Sequence, residues 1–292
     1  MNVLIVYAHP EPSSFTGALK DAAVRALATA GHHVEVSDLY AEGFNPVAGR
    51  HDFTGAADPA RFHYQSEQLH ASQTGSFAVD LVREQERLRR ADLLVLIFPL
   101  WWGGLPAIVK GWFDRVCAYG MAYADGPRFA RGYFVGRRAL LGLTTGGTIE
   151  RFSDGGSYGE MKDVLYSVRR CILEYLGLEV MEPFVAYAAP RVDAAARAEY
   201  LRSWEARLLA TVGDQAWHAH LSGLADTAAQ NRWAARTKPG RRRGRHPDSR
   251  TLNPRSHHNN SVPKFLNHMQ GSPFAGKAWH AYLARYMPPT SR

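Results

Sequence analysis

The chain has 292 residues, 46% of them hydrophobic, 11% aromatic and 21% charged, enough apolar material for a packed core, which excludes disorder as the overall state. Its formal charge of +8 is uneven: residues 1–212 carry 22 Lys and Arg against 24 Asp and Glu, whereas residues 213–292 carry 13 against 3. The excess therefore marks a tail and not the whole chain as basic, and the two cysteines, Cys117 and Cys171, are too few for a disulfide scaffold or a zinc site.

Two periodicities alternate along the first 212 residues. Residues 2–8 are a short apolar run of the buried parallel-strand type, with no basic segment ahead of it, which predicts a cytoplasmic address. An Ala-rich helix over 15–30, ended by Gly31, comes next, and then a half-polar strand over 33–38. A long polar excursion fills 39–76, of a length that usually serves function. Beyond it the pattern predicts a helix over 77–90, the most apolar strand over 92–98, a helix over 106–118 and a strand over 138–144. A helix over 158–176, a strand over 179–187 and a closing helix over 193–211 complete five strands alternating with five helices. No apolar run approaches the ~18 residues of a membrane span.

Five such units predict an α/β, flavodoxin-like, doubly wound parallel sheet of order 2-1-3-4-5, with residues 1–212 as the domain and 213–292 as a basic, low-order extension. In that topology ligands sit beyond the strand C-termini, near the point where the order reverses. The loops after strands one, three and four are the places to look.

After strand one, His9-Pro10-Glu11-Pro12-Ser13-Ser14-Phe15-Thr16 leads into a helix. Backbone N–H groups, hydroxyls and the positive end of the helix dipole there suit a phosphate, although Ser13 or Ser14 could equally be an ordinary N-cap. After strand three, Trp101 and Trp102 cannot both face a core, and Gly103 and Gly104 let a flat ligand approach the backbone. A buried Trp beside a dimer contact is the other reading of that pair. After strand four, Thr144-Thr145-Gly146-Gly147 offers hydroxyls and N–H groups to the polar edge of a ring. Phosphate binding, stacking and polar-edge recognition at one end of one sheet add up to a flavin.

The segments Val3 to His9, Ser37-Asp38-Leu39-Tyr40, Phe44-Asn45-Pro46, Ala91-Asp92-Leu93 and Phe98-Pro99-Leu100-Trp101-Trp102, with the run from Pro106 through Lys110-Gly111-Trp112-Phe113 to Val116 and Thr144-Thr145-Gly146-Gly147, occur in this order. Together they resemble the NAD(P)H:quinone reductase (DT-diaphorase) family over about residues 1–212. The resemblance implies a bound FAD, a homodimer with active sites at the interface, and hydride transfer from NAD(P)H through the flavin to a quinone. It puts His9, Ser14, Phe15 and Thr16 near the FAD phosphates and ribose, Pro99, Leu100, Trp101, Trp102 and Gly103 against the ring system, and Thr144, Thr145, Gly146 and Gly147 at its polar edge. Arg197 and Leu201 would lie near the adenosine half, and Trp102, Gly103 and Tyr123 would line the substrate cavity. No GxGxxG motif occurs, in keeping with a family in which the nicotinamide visits the flavin without a separate Rossmann domain.

Departures from the family pattern gather around the substrate. Phe152 and Tyr158 stand where a tyrosine and a histidine are usual proton-handling partners; Trp101 replaces a glutamine, Gly103 an aromatic residue and Asp125 a second tyrosine. Tyr158 becomes the candidate catalytic proton donor.

Three other readings compete. Gly155-Gly156-Ser157-Tyr158-Gly159 satisfies the G-x-S-x-G pattern of serine hydrolases, but polar residues 148–154 separate Ser157 from strand four, where a nucleophile elbow needs a strand running straight into the turn. A non-catalytic flavoprotein, the regulatory subunit of a potassium-efflux system, is the alternative within the wider family. In the tail, the cationic run over 238–247 could meet nucleic acid, yet such runs are more often merely solvated, so nucleic acid is not expected as a partner. Trp279, Leu283 and Tyr286 share a helical face, while His218, His220, His257 and His258 show no metal-ligand spacing, so no metal is expected.

Overall fold

The computed structural model describes residues 1–226. Its strands are β1 (Asn2–Tyr7), β2 (His33–Asp38), β3 (Leu93–Pro99), β4 (Arg138–Thr144), β5 (Glu179–Val180) and β6 (Phe184–Ala186). They form a wholly parallel sheet in the order β2-β1-β3-β4-β5, with β6 also paired to β4, the doubly wound arrangement expected from the sequence. The longer helices are α1 (Phe15–Thr29), α2 (Tyr64–Thr74), α3 (Val79–Arg90) and α4 (Ala107–Val116), followed by the short α5 (Met161–Val164) and α6 (Tyr166–Val168), and then by α7 (Ala194–Val212) and α8 (Gln215–Asp226). None is long and apolar enough to cross a membrane among the described residues.

Side chains on β1 and β3 alternate between two apolar layers, as a strand period of two dictates. Leu4, Val6, Leu94, Leu96 and Phe98 pack with Leu81, Val109 and Trp112 on one side. Val3, Ile5, Leu93, Val95 and Ile97 pack with Leu19, Ala23, Trp204 and Leu208 on the other. Both faces are covered, which is why these strands read as unbroken apolar runs.

Two expectations are corrected. The fifth strand, expected over 179–187, is split into β5 and β6. Partners on β4 step from Ala139 to Gly142 while those on the edge step from Val180 to Phe184, so one extra residue is taken up as in a β-bulge. Pro183 sits in that step, where a missing N–H removes no ladder bond. The helix expected over 158–176 begins only at Met161, after Gly159 at φ +72°, and continues beyond Leu165 into a π-helical turn, Arg169–Glu174.

The excursion over 39–76 is ordered by polar contacts. It contains α2, and around it Arg115, 1% exposed, bonds through Nε to Asp52 Oδ1 (2.8 Å), through Nη1 to Asn45 O (2.6 Å) and through Nη2 to Asp80 Oδ2 (3.1 Å). Asp52 also accepts from Tyr64 Oη at 2.6 Å, and burial, reinforced by that contact, pushes the Tyr64 phenol well above its ordinary range. A Cβ on Gly111 would lie 2.2 Å from Pro46 O, so the absence of a side chain on α4 is what lets the excursion close against the helix.

The boundary expected at 212–213 marks the end of α7, but side-chain packing continues past it. Asp214 Oδ1 accepts from the N–H groups of Ala216 and Trp217, its Oδ2 accepts from Arg138 Nη2 at 2.8 Å, and Trp217 is 3% exposed with Nε1 donating to Gly136 O. Leu221 packs on the same layer. The basic run over 238–247, His257 and His258, and the face of Trp279, Leu283 and Tyr286 lie outside the described residues. A chain ended after Val212 loses Trp217 and should unfold in urea with about 3–5 kcal/mol less stability than one ended after Asp226, the range for deleting a buried Trp side chain; equal midpoints would show that α8 contributes nothing.

Candidate functional site

The three loops singled out above meet beyond the C-terminal ends of β1, β3 and β4, and each is built differently. At the first, Ser13 Oγ donates to Glu11 Oε1 at 2.7 Å, which with the Ser13 N–H holds the exposed Glu11 carboxyl below its usual range. Ser14 is the N-cap of α1, its Oγ accepting from Gly17 N at 3.1 Å. Thr16 is buried and its Oγ1 lies 2.8 Å from Thr144 Oγ1, a hydroxyl pair that ties the start of α1 to the end of β4.

The second loop is a two-residue turn. Trp101 and Gly104 exchange backbone hydrogen bonds of 3.3 and 3.0 Å, and the central residues have φ +51° at Trp102 and +69° at Gly103. Positive φ at both central positions is what a type I′ turn requires, and glycine meets it without the strain a tryptophan incurs. Its two indoles diverge, as the sequence predicts: Trp101 lines a cavity 6.4 Å from the His9 ring, while Trp102 stands 106% exposed at the tip.

In the third loop, Thr145 Oγ1 accepts from Gly147 N at 3.1 Å, and Thr145 N donates to Ala186 O on β6. Thr144 and Thr145 are both 7% exposed, and Leu100 N donates to Thr144 O at 2.8 Å, joining this loop to the second. Arg191 Nη1 donates to Gly146 O, bringing the chain after β6 into the same corner.

Together these segments enclose a cavity of about 350 Å³. His9, Ser14, Phe15, Thr16, Pro99, Leu100, Trp101, Thr144, Thr145, Gly146 and Arg197, all singled out in the sequence, line it. None of its lining residues is acidic. The lining combines Pro99, Leu100 and Trp101 with the hydroxyls of Ser14, Thr16, Thr144 and Thr145, and Arg197 and the start of α1 supply positive potential, so the donor set fits a planar, anionic group such as a flavin nucleotide.

Other expected residues fall elsewhere. Trp102 and Gly103 form the tip of the turn, Gly147 lies against the Phe152 ring, and Leu201 packs into the layer beside α1. Tyr158 is 55% exposed and stacks on Phe152 at 4.9 Å and 28°. Tyr123 lines a second, larger cavity of about 520 Å³ with Phe113, Tyr175 and Lys110, where burial raises its phenol above the ordinary value. Gly104 lines that second cavity while Trp101 lines the first, so the turn stands between the two. Ala189 and Pro190, which also border the first cavity, carry no chemical signature in the sequence; the strand-end rule applied to strand five is the signal that points to them.

Residues 1–208 match the model of a family described by its flavodoxin-like fold. The rat protein named NAD(P)H dehydrogenase [quinone] 1 is 42% identical over 206 residues, 70% of this chain and 75% of that protein. A ribosyldihydronicotinamide dehydrogenase [quinone] of Pongo abelii is 41% identical over 207 residues, 70% of this chain and 90% of that one. This chain belongs to the flavodoxin-like quinone reductase family. Among solved structures, a candidate quinone reductase of Klebsiella pneumoniae superposes with a TM-score of 0.68 and 42% identity, covering 71% of this chain and 83% of that one. Family membership carries a flavin cofactor with NAD(P)H as its reductant, in keeping with the donor set just described.

Holding Trp102 in the left-handed region costs about 1–3 kcal/mol, and the exposed ring recovers none of this through burial within one chain. Trp102→Gly should therefore raise stability by about 1 kcal/mol, seen as a higher melting temperature. A lower one would mean that the indole packs on something after all.

Proposed function

We propose that this protein is an NAD(P)H-dependent quinone oxidoreductase that carries FAD, works as a homodimer and resides in the cytoplasm. The observation that carries the reading is the convergence of the start of α1, Pro99 to Trp101, Thr144 to Gly146 and Arg197 on one cavity at the C-terminal end of the sheet. A flavin bound there would supply the two-electron redox chemistry that links the nicotinamide to the quinone.

The chain's own residues bind and orient. Pro99, Leu100 and Trp101 present the apolar wall against which a ring system lies, and Thr145 and Gly146 face its polar edge. Ser14, Thr16 and the first turn of α1 hold phosphate oxygens, while Arg197 on α7 neutralises the far half of the nucleotide. Trp102 offers an exposed aromatic face to the incoming acceptor. Tyr123 and Tyr175 line the cavity on the other side of the 101–104 turn, an aromatic wall that a homodimer would turn toward the first cavity of its second copy. Tyr158 supplies the proton that a reduced quinone oxygen requires; Phe152, stacked beneath it, has none to give.

Protein prepared with excess FAD should be yellow, should release FAD and not FMN on denaturation, and should oxidise NADH or NADPH with a soluble quinone; release of FMN, or of no flavin, overturns the assignment. Arg197→Ala should weaken FAD binding about tenfold, the value of one charge-assisted contact. Tyr158→Phe should slow the quinone half-reaction in stopped-flow traces while leaving flavin content and reduction by NAD(P)H unchanged. Identical traces for variant and wild type would make solvent the proton source.

A further inference from the structure

The second cavity, of about 520 Å³, is largely apolar and aromatic, with Phe113, Tyr123, Ile172 and Tyr175 in its lining. Its own charges cancel, because Lys110 Nζ donates to both carboxylate oxygens of Asp114, at 2.6 and 2.8 Å. The aromatic wall continues outward from it: the Tyr175 ring meets Tyr123 edge-on at 6.1 Å and Phe129 edge-on at 5.8 Å.

Two arginines cover this wall, and they differ. Arg170 lies 4.1 Å from the Phe129 ring, and its Nη1 donates to Glu174 Oε2 at 2.7 Å, so its charge is met. Arg128 is exposed, with its guanidinium carbon 5.6 Å from the Tyr175 ring, and it pairs with no carboxylate among the described residues. An aromatic face attracts a cation without neutralising it. The next residue, Phe129, is held at φ +52°, in the left-handed region. Such strain in a bulky residue persists only where the surroundings over-determine it, and it clusters at ligand-binding positions. Here two consecutive side chains, Arg128 and Phe129, reach one and the same ring.

Building on the reading of this protein as a quinone reductase, we propose that Arg128 determines acceptor specificity: it selects quinones that carry a carboxylate on a short side arm, with the ring along the Tyr123 and Tyr175 wall and the carboxylate on the Arg128 guanidinium. A neutral quinone leaves the arginine without an anion, and a bare anion leaves the aromatic wall without a partner. The guanidinium fork matches a carboxylate bidentately, and its closeness to the Tyr175 ring calls for an anion set close to its own ring. The carboxylate takes no part in the bond changes. The two quinone oxygens take up two electrons and two protons as they do in a neutral acceptor, and the side arm leaves unaltered. One contact of this kind at an exposed site is worth about fivefold in affinity and is screened by salt.

The probes are a naphthoquinone bearing a propanoate arm and its methyl ester, the uncharged counterpart, each turned over with NADH by the full-length, flavin-loaded protein. The readout is the ratio of kcat/KM for acid to that for ester. Arg128→Gln should lower this ratio about fivefold, through KM. Arg128→Glu should lower it further, and Arg128→Lys, which keeps the charge, should lower it less. Raising salt from about 0.01 M to about 1 M, which shortens the Debye length from about 30 to about 3 Å, should lower the wild-type ratio and leave that of Arg128→Gln nearly constant. The proposal falls if wild type, Arg128→Gln and Arg128→Glu share one ratio. It also falls if Arg128→Gln slows flavin reduction by NADPH and not by NADH, which gives the arginine to a phosphate of the donor. Turnover of the ester with an unmoved ratio overturns this inference alone, whereas failure to reduce either probe overturns the proposed function and this inference with it.

Discussion

Arg115 on α4 is the group about which the rest of the structure is arranged. It is 1% exposed and is held by Asp52, Asp80 and the carbonyl of Asn45, with its guanidinium carbon 5.0 Å from the Phe44 ring. A buried ion pair of this kind contributes little net stability, because desolvation cancels much of the attraction, but an unpaired partner would be expensive. That asymmetry makes it a device for register: the excursion over 39–63 has one position on α4 in which every charge is met. A second polar cluster repeats the logic one layer away. Glu84, 0% exposed, accepts from Ser37 Oγ at 2.6 Å and from Trp112 Nε1 at 2.8 Å, and pairs with Arg87. Between them these contacts fix α4, and α4 fixes the 99–106 segment that opens into it.

The Lys110-Gly111-Trp112-Phe113 run takes on a physical meaning in this light. Gly111 gives room to Pro46, Trp112 reaches Glu84, and Arg115 two residues further on gathers the excursion. The run most characteristic of the resemblance is thus largely a folding element. Ligand chemistry is assigned instead to segments with weaker signatures, which hold their shape through a hydroxyl pair at Thr16 and Thr144 and a strained turn at Trp102.

Legibility followed the kind of force involved. Strands β1, β3 and β4 are buried on both faces, so composition alone located them to within a residue or so. Helix α2 stayed hidden because the residues it buries are Glu67, Gln68 and Ala71, a polar set without apolar periodicity; its ends, capped by His63 and by Gly75 at φ +72°, were the signals available. Helix α8 lies on the basic side of the change in net charge, and its signal in the sequence is Asp214 ahead of Trp217, a readable cap. In the candidate site, the residues at strand ends were legible because topology dictates where such ends meet. Trp102, Tyr123 and Tyr158 were harder, since a turn tip, a second cavity and a surface stack depend on long-range packing that no local pattern records.

A parallel sheet that ends in an exposed strand offers its outer row of N–H and C=O groups to any other extended chain. Here the row on the β5 and β6 side is interrupted: the two pieces hold two and three residues, they are out of step by one, and Pro183 has no donor to give. A foreign strand finds no continuous ladder to extend, and amyloid-like growth from that edge loses its template. At that edge, association between copies is left to side-chain surfaces, where single substitutions can adjust affinity without disturbing the backbone hydrogen bonds of the fold.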